Sequence, residues 1–333
     1  FGVTSADTFS ILNNPAGIGF LGGKSFALSY RNMPRSTTAL TGNIATPNQS
    51  TAALRGGNQI SHLGYAVPAK SGVIGFSYQV GGYIDDFRSG TNVTIGGFNG
   101  ATYQEQMRAK TDFYTLAYGK TNIDGNRSTG WGLTVANLNL FNRQEGFVPG
   151  NPPTNLISTN NSSSTWGVGL VGGFQYVPMN RPNVTVGASI RTPIKLSGNN
   201  FASSLYSTIP GQVSIGMATR TDNFRGKDDF LVTGIQLGYT FGGGGSGFFD
   251  RNNQFTLGFG GEWNMVQDFG LIPIRAGYSI AQGGGGNFAD RNALTFGFGF
   301  RPNGSPWNVD FNYAFPRGGS SDFALALNYR FEK

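Results

Sequence analysis

Alternation between large apolar and small residues is the feature that most constrains this chain. In residues 322–331, Phe323, Leu325 and Leu327 share one face of an extended segment, whereas Ala324 and Ala326 share the other. The same two-residue period recurs in residues 254–263, 292–301 and 307–315. A period of two is typical of a β-strand, because successive side chains point to opposite faces of the sheet. The alternation therefore predicts an all-β protein.

The composition of the second face favours a membrane barrel over a soluble β-sandwich. A sandwich buries its apolar faces in an aliphatic core and exposes charged residues, but only 12% of these 333 residues are charged and 53 are glycine. The second face carries mainly Gly, Ala, Ser, Thr and Asn, which suits the lumen of a barrel whose other face meets lipid. No run of 18 apolar residues is present, which excludes a helical membrane protein.

The alternation predicts fourteen strands, and their connections differ in length at the two ends. One set is short, such as 69–71 and 302–305, and the other is mostly long, such as 33–58, 85–103, 143–163 and 194–210. Outer-membrane barrels have short periplasmic turns and long extracellular loops. The prediction is a 14-stranded antiparallel transmembrane β-barrel in residues 24–333. Residues 1–23 do not alternate and are predicted to form an N-terminal plug, or hatch, inside it. Asn137 interrupts the outward set of strand five, which predicts a bulge there.

The sequence contains little that indicates an enzyme or a cofactor. It has no cysteine and one histidine, His62, which is predicted to face the lumen with no nucleophile beside it. No spacing indicates a metal site, so the expectation is no enzyme activity, no cofactor and no metal. The net charge is +7, but the basic residues form no run, which argues against nucleic acid. The start of the chain lacks a basic, apolar leader, so we expect that a signal peptide has been removed.

One motif precedes the first strand and carries a family resemblance. The chain reads Asn13-Asn14-Pro15-Ala16-Gly17-Ile18, and Asn14, Pro15, Ala16 and Gly17 form the predicted hatch motif. In this position it resembles the hatch of the FadL-type outer-membrane transporters of long-chain fatty acids and other hydrophobic compounds, which are 14-stranded. The segment 209–220, which contains Pro210, is similar to a Pro-led strand of that family. The resemblance implies a Gram-negative outer membrane and passive uptake by loop capture, a lumenal pocket and lateral release.

The resemblance also implies ligand-binding residues in this chain. Its third and fourth extracellular loops correspond to 143–163 and 194–210, whose apolar residues are expected to capture ligand, with packing of the loops as a lid as the alternative. Two inward arginines are candidate anchors for a carboxylate, and internal salt bridges are their alternative. The candidate ligand-binding residues are Phe147, Leu156, Phe201, Leu205, Tyr206, Arg191 and Arg275. The apolar floor of the pocket is expected from Phe1, Val3, Phe9, Ile11 and Leu12.

The third implied part is a lateral opening in strand three. Gly75, Gly81 and Gly82 lie in that strand, and glycine permits the bulge or kink that interrupts a ladder. The expected partners are outer-membrane lipid and a hydrophobic small molecule or fatty acid. The family also contains PorV-like proteins, so the alternative function is that of an interaction or shuttle component of a type IX secretion system or another outer-membrane complex.

Overall fold

The barrel is built from most of the strands in the chain. The computed structural model describes residues 2–150, 152–198, 200–225, 228–243, 253–282, 291–317 and 321–331. Two short helices, α1 (Ser10–Asn13) and the 3₁₀ helix Pro15–Phe20, precede the first strand. The remaining elements are β1 (Ser25–Thr41), β2 (Asn48–Ala69), β3 (Gly72–Ile95), β4 (Phe98–Thr121), β5 (Arg127–Val148), β6 (Thr154–Tyr176), β7 (Val184–Arg191), β8 (Ile194–Lys195), α2 (Phe201–Leu205), β9 (Thr208–Ile209), β10 (Gly211–Asp222), β11 (Phe230–Phe241), β12 (Gln254–Gln267), β13 (Gly270–Ala281), β14 (Arg291–Pro302), β15 (Trp307–Pro316) and β16 (Asp322–Arg330).

Fourteen of these strands close into one antiparallel barrel, which confirms the predicted fold class. β1–β7 and β10–β16 follow one another around the wall, and β1 pairs with β16 from Ser25↔Arg330 to Asn32↔Phe323. β8 and β9 form a separate two-stranded sheet within residues 192–210. Closure satisfies the backbone hydrogen bonds that an open sheet edge would leave unmade in lipid.

The outer face of the wall is apolar. Large apolar side chains are exposed on this face, and the small residues that alternate with them face the lumen. Such a band is what a barrel presents to the hydrocarbon core of a bilayer. None of the helices in the described part of the chain is long and apolar enough to cross a membrane. The exposed apolar residues include Ile74, Phe76, Leu116, Leu133, Val168, Leu170, Ile215, Ile235, Phe259, Ile274, Phe296, Phe298 and Phe315.

The first six strands are much longer than the alternation predicts. β2–β6 run for 22 to 24 residues, whereas β10–β16 run for 9 to 14. Most of the predicted loops 33–58, 85–103 and 143–163 is therefore strand, and the prediction of loops there is wrong. Above the apolar band neither face meets lipid, so the two-residue hydrophobic period disappears while the backbone ladder continues.

The predicted bulge at Asn137 is also wrong. Asn137 pairs regularly with Asp112 of β4 and Trp166 of β6, and the ladders show no register shift at this point. Leu138 and Leu140 are buried against Leu196 and Ala202. Both leucines face the lumen, as Ala136 does. The large apolar residues of β5 thus lie on the outer face lower in the strand and on the inner face here, because the lumen is filled by other side chains at this height.

Strand order changes in the upper part of the wall. The β2–β3 ladder runs only from Ala69↔Gly72 to His62↔Gln79. Farther along, β1 leaves β16 and pairs in parallel with β3, from Ser36↔Asp86 to Ala39↔Ser89. Toward the short-turn end of the barrel, the order of neighbouring strands in the wall is therefore β16-β1-β2-β3. Toward the tips of the long strands, the order is β2-β1-β3-β4. We call the interval of β3 between Gln79 and Asp86, where one ladder has ended and the other has not begun, the strand break.

Candidate functional site

The hatch motif is fixed to the lumenal face of the wall. Asn14 is fully buried, and its Nδ2 donates hydrogen bonds to the carbonyl oxygens of Val3 (2.7 Å) and Phe174 (3.1 Å). Its Oδ1 accepts from the backbone N–H of Ala16, which begins the 3₁₀ helix behind Pro15. The carbonyl of Ala16 in turn accepts a hydrogen bond from Ser128 Oγ (2.6 Å). These contacts explain why an Asn-Pro-Ala sequence suits this position.

Glycines of the wall make room for the motif. A Cβ atom at Gly173 would overlap Oδ1 of Asn14, and one at Gly130 would overlap the backbone of Pro15. Gly75 belongs to this set, because its Cβ would lie 2.9 Å from Ile11. It sits in regular register between Ala66 and Ala117, away from the strand break. For Gly75 the structure therefore shows hatch packing and not the kink that the sequence suggested.

Asp7 and Phe9 make further contacts, within the hatch and with β2. Asp7 Oδ1 accepts a hydrogen bond from the N–H of Ser10 at the start of α1, and burial raises the pKa of this carboxyl above its ordinary value. The ring of Phe9 stacks on the imidazole of His62, with centroids 4.0 Å apart. Phe1, the other predicted floor residue beside Val3, Ile11 and Leu12, lies outside the described residues.

Gly81 and Gly82 lie at the strand break. The register of β3 with β4 shifts between Val80 and Gly82. A Cβ atom at Gly81 would overlap the ring of Phe113, whereas one at Gly82 would meet nothing within 4 Å. The absence of a side chain at Gly81 therefore lets Phe113 of β4 lie directly behind the break.

Behind Phe113 is a buried apolar cluster, which we call the chamber. It consists of Leu12 from the hatch, Phe113, Ala136 and Ile194, with Ile209 packed against it. Hatch, wall and the 192–210 segment thus meet at one point. Sequence reasoning missed Phe113 as a site residue, although a large aromatic among the small inward residues Thr111, Thr115 and Ala117 is a signal that was available.

Arg191 lies against this chamber. Its guanidinium carbon is 4.8 Å from the centroid of the Phe113 ring, a cation–π distance. Nη2 donates to the carbonyl of Pro210 at 3.3 Å, and Nε is buried with no hydrogen-bond partner among the described residues. Within that part of the chain no carboxylate is paired with Arg191. The sequence prediction thus identified an inward cation next to the apolar cluster.

Arg275 has a different environment. Its Nε donates to Glu262 at 2.5 Å and its Nη1 to Asp310 at 2.6 Å. Asn264 also donates to Glu262, and Arg301 lies 4.0 Å from the same carboxylate. Two carboxylates therefore already neutralise Arg275, which is the salt-bridge alternative considered for the inward arginines.

The residues predicted in the third loop lie at the tips of the long strands. Leu156 and Ile157 of β6 line an apolar cavity of about 430 Å³ together with Ile44, Ile95 and Phe98. We call this cavity the tip pocket. Phe147 of β5 pairs with Asn155 nearby, half-buried, and does not line the pocket.

The fourth predicted loop packs into the lumen. Asn200 Oδ1 accepts a hydrogen bond from the N–H of Ser203, and the N–H of Asn200 donates to Ser203 Oγ, which completes a capping box at the start of α2. Phe201, Leu205 and Tyr206 pack against a cluster of Ala109, Leu138, Leu140, Leu196 and Ala202. This segment therefore packs on the lumenal face of β4 and β5, whereas the alternative was that the two loops pack on each other as a lid.

A hydrogen-bonded polar triangle marks the upper limit of the apolar band beside the strand break. On the outer face, Tyr78 donates to Asp112 at 2.8 Å, while Lys110 Nζ lies 2.9 Å from the Tyr78 hydroxyl and 3.0 Å from Asp112. Below it the neighbouring outward residues are Phe76 and Leu116. The strand break therefore lies where the lipid-facing surface changes from apolar to polar.

Comparison with known proteins places this geometry in a known fold. In sequence, the chain matches no family model and no curated protein. In structure, it is similar to a FadL homologue from Pseudomonas aeruginosa, with TM-score 0.64 and 16% identity over 99% of this chain and 96% of that one. It is also similar to the toluene transporter TodX from P. putida, with TM-score 0.67 and 12% identity over the same shares. The chain has the FadL-type barrel fold. In the described part of this FadL-type barrel, no group of three or more His, Cys, Asp or Glu side chains is placed to hold a metal ion.

Proposed function

We propose that this FadL-type barrel is an outer-membrane channel for passive uptake of hydrophobic molecules. The observation that carries the proposal is the strand break with the packed apolar side chains of the chamber directly behind it. A hydrophobic solute gains free energy by leaving water, about 25 cal/mol per Å² of apolar surface removed. A water-filled pore would forfeit that gain, whereas an apolar chamber beside an interruption in the wall keeps the solute out of water until it reaches lipid.

The proposed route has three stages. The tip pocket captures the solute, because it is apolar and lies at the outermost ends of β3 and β6. The chamber receives it once the 192–210 segment shifts, and the hatch prevents descent to the opposite end. The solute then leaves sideways past Gly81 and Phe113 into the outer leaflet of the membrane.

Arg191 favours a solute with one anionic end, such as a long-chain fatty acid. Its Nε is buried with no described partner, and a buried donor gains most from a charged acceptor. The neighbouring Phe113 ring supplies apolar contact for the adjoining methylene groups. Arg275, already paired with Glu262 and Asp310, is not assigned to the ligand.

Gly81 and Gly82 provide a matched pair of variants for testing the route. Gly81→Val places a side chain into the Phe113 ring and is expected to lower uptake of a labelled long-chain fatty acid several-fold. Gly82→Val, in open space one residue away, is expected to leave uptake unchanged. Uptake is measured in cells that lack their own transporter, with surface expression of both variants checked. Equal uptake with and without the protein would overturn the proposal.

The anionic end is tested by comparing ligands. Arg191→Met is expected to weaken binding of a fatty acid at least tenfold and to leave binding of the corresponding alcohol unchanged, whereas Arg220→Met, which removes an exposed arginine paired with Asp222, changes neither. Similar loss for both ligands would refute the carboxylate assignment. Stable co-purification with a large protein partner and no uptake would support the PorV-like alternative instead.

A further inference from the structure

The helices of the hatch pack against one side of the lumen. The hatch helices contact β3–β6, and on the other side a cavity of about 1330 Å³ lies along β1 and β10–β16. Its hatch-side boundary is residues 4–9. We call this cavity the polar lumen. It has room for tens of water molecules at about 30 Å³ each.

The polar lumen extends along the full height of β15 and β16, whereas β10 and β11 line it only near their short-turn ends. At the short-turn end it is lined by Ser305 and Pro306, which join β14 to β15, and by Asn183 before β7. At the opposite end it is lined by Ala314 of β15 and Asp322 of β16. The same strands therefore border the cavity from one mouth of the described barrel to the other.

The lining is polar and charged. Glu262, Arg275 and Asp310 line it, with Asn308 and Asn312 nearby on β15 and Arg301 at the short-turn end of β14. Ser279 of β13, which pairs with Gly258, is exposed although its neighbours Tyr278 and Ile280 point toward lipid. Ions and water are stabilised by such groups, whereas an apolar solute gains nothing by entering.

We propose that the polar lumen is a hydrophilic passage for water and small ions, separate from the chamber and the strand break. The hatch fills the lumen on the β3–β6 side through the Asn14 and Pro15 contacts. On its other side, residues 4–9 of the hatch line the passage. Both basic and acidic side chains line the passage, so we expect it to admit small ions of either sign. This function does not depend on transport of hydrophobic molecules.

Gly258 allows the passage to be blocked without disturbing the wall. A Cβ atom there would meet nothing within 4 Å, and the residue lines the polar lumen. In planar bilayers the wild-type protein is expected to give a steady ion conductance, and Gly258→Trp to remove most of it. Leu257→Trp adds the same side chain to the lipid-facing side at the same height and is expected to leave conductance unchanged. A wild-type protein with no conductance would overturn the proposal.

A second measurement guards against misfolding of the Trp variant. Because the chain has no cysteine, Ser279→Cys creates a single thiol in the polar lumen. A charged, water-soluble thiol reagent added during recording is expected to lower its conductance at once, whereas Ile280→Cys is unaffected. If neither responds, the current does not pass through the polar lumen and the proposal fails. Gly81→Val is expected to reduce fatty-acid uptake and leave conductance intact, so failure of one function is distinguishable from failure of the other.

Discussion

The two sides of this barrel use small inward residues in opposite ways. On β3–β6, glycine and alanine bring the wall close to the hatch, and the space they leave is occupied by Ile11, Asn14 and Ile18. On β12, a Cβ atom at Gly258 would meet nothing within 4 Å, and charged side chains of β12, β13 and β15 border the polar lumen beside it. The same composition therefore gives a packed interface on one side and a wet lumen on the other.

The difference shows that the role of an inward glycine in a barrel depends on whether the lumen beside it is packed or open. Interiors that are packed transmit the effect of a single added methylene, because neighbours have nowhere to move. A wall that faces water accommodates the same change by displacing solvent. Substitutions at equivalent inward positions should therefore separate the two sides clearly.

The largest contrast is expected for one substitution made on both sides. Gly173→Leu drives a side chain into Asn14 and is expected to destabilise the protein by about 3 kcal/mol or more, since overpacking adds to lost buried hydrogen bonds. Gly258→Leu enters open space and is expected to change stability by less than about 0.5 kcal/mol. Urea unfolding in lipid vesicles, followed by tryptophan fluorescence, measures both. Equal effects would show that the two sides are packed alike.

A smaller effect is expected from the hatch motif itself. Asn14→Ala leaves the carbonyl oxygens of Val3 and Phe174 without this donor, and is expected to cost about 2 kcal/mol. Proteolysis of the N-terminal segment should accelerate in parallel. Asn13→Ala, which removes an exposed side chain that bonds only locally to Phe9, is the control and should have little effect. Intact protease resistance in Asn14→Ala would contradict the docking role of the motif.

The smallest effect is expected on the wet side. Arg275→Met leaves Glu262 and Asp310 without their shared cation, but side-chain exposure of 23% allows water to screen them. The expected loss is about 1–2 kcal/mol at neutral pH, below the 3–5 kcal/mol typical of a dry buried pair. Arg275→Lys keeps the positive charge and should recover part of this loss in the same unfolding measurement. Equal losses in the Met and Lys variants would indicate a packing defect instead.

The sequence is sufficient to predict the fold but not the height of the wall. Alternation is visible wherever one face meets lipid, which is why β10–β16 are predicted within a few residues. It fails in β1–β6 above the band, where Ser, Asn and Gln occupy both faces of a continuous ladder. For a related reason, the sequence assigned Leu138 and Leu140 to the outer face. Their hydrophobic surroundings are α2 in the lumen and not lipid.

The candidate site was only partly predictable. Arg191 and Gly81 could be selected from parity and chain position, but their meeting at Phe113 depends on how β3 changes register and how residues 192–210 enter the lumen. Gly75 shows the limit clearly. Like Gly81 it is a glycine of β3. Only its contact with Ile11 of the hatch shows that it makes room for the hatch and does not belong to the strand break.

The change of strand order has a consequence for assembly. One edge of β1 is used twice, by β16 up to Asn32 and by β3 from Ser36 onward. The C-terminal strand and the upper sheet therefore compete for adjacent stretches of the same backbone. Lengthening β16 at its start would displace β1 from β3, so the length of β16 determines where the pairing of β1 with β3 can begin.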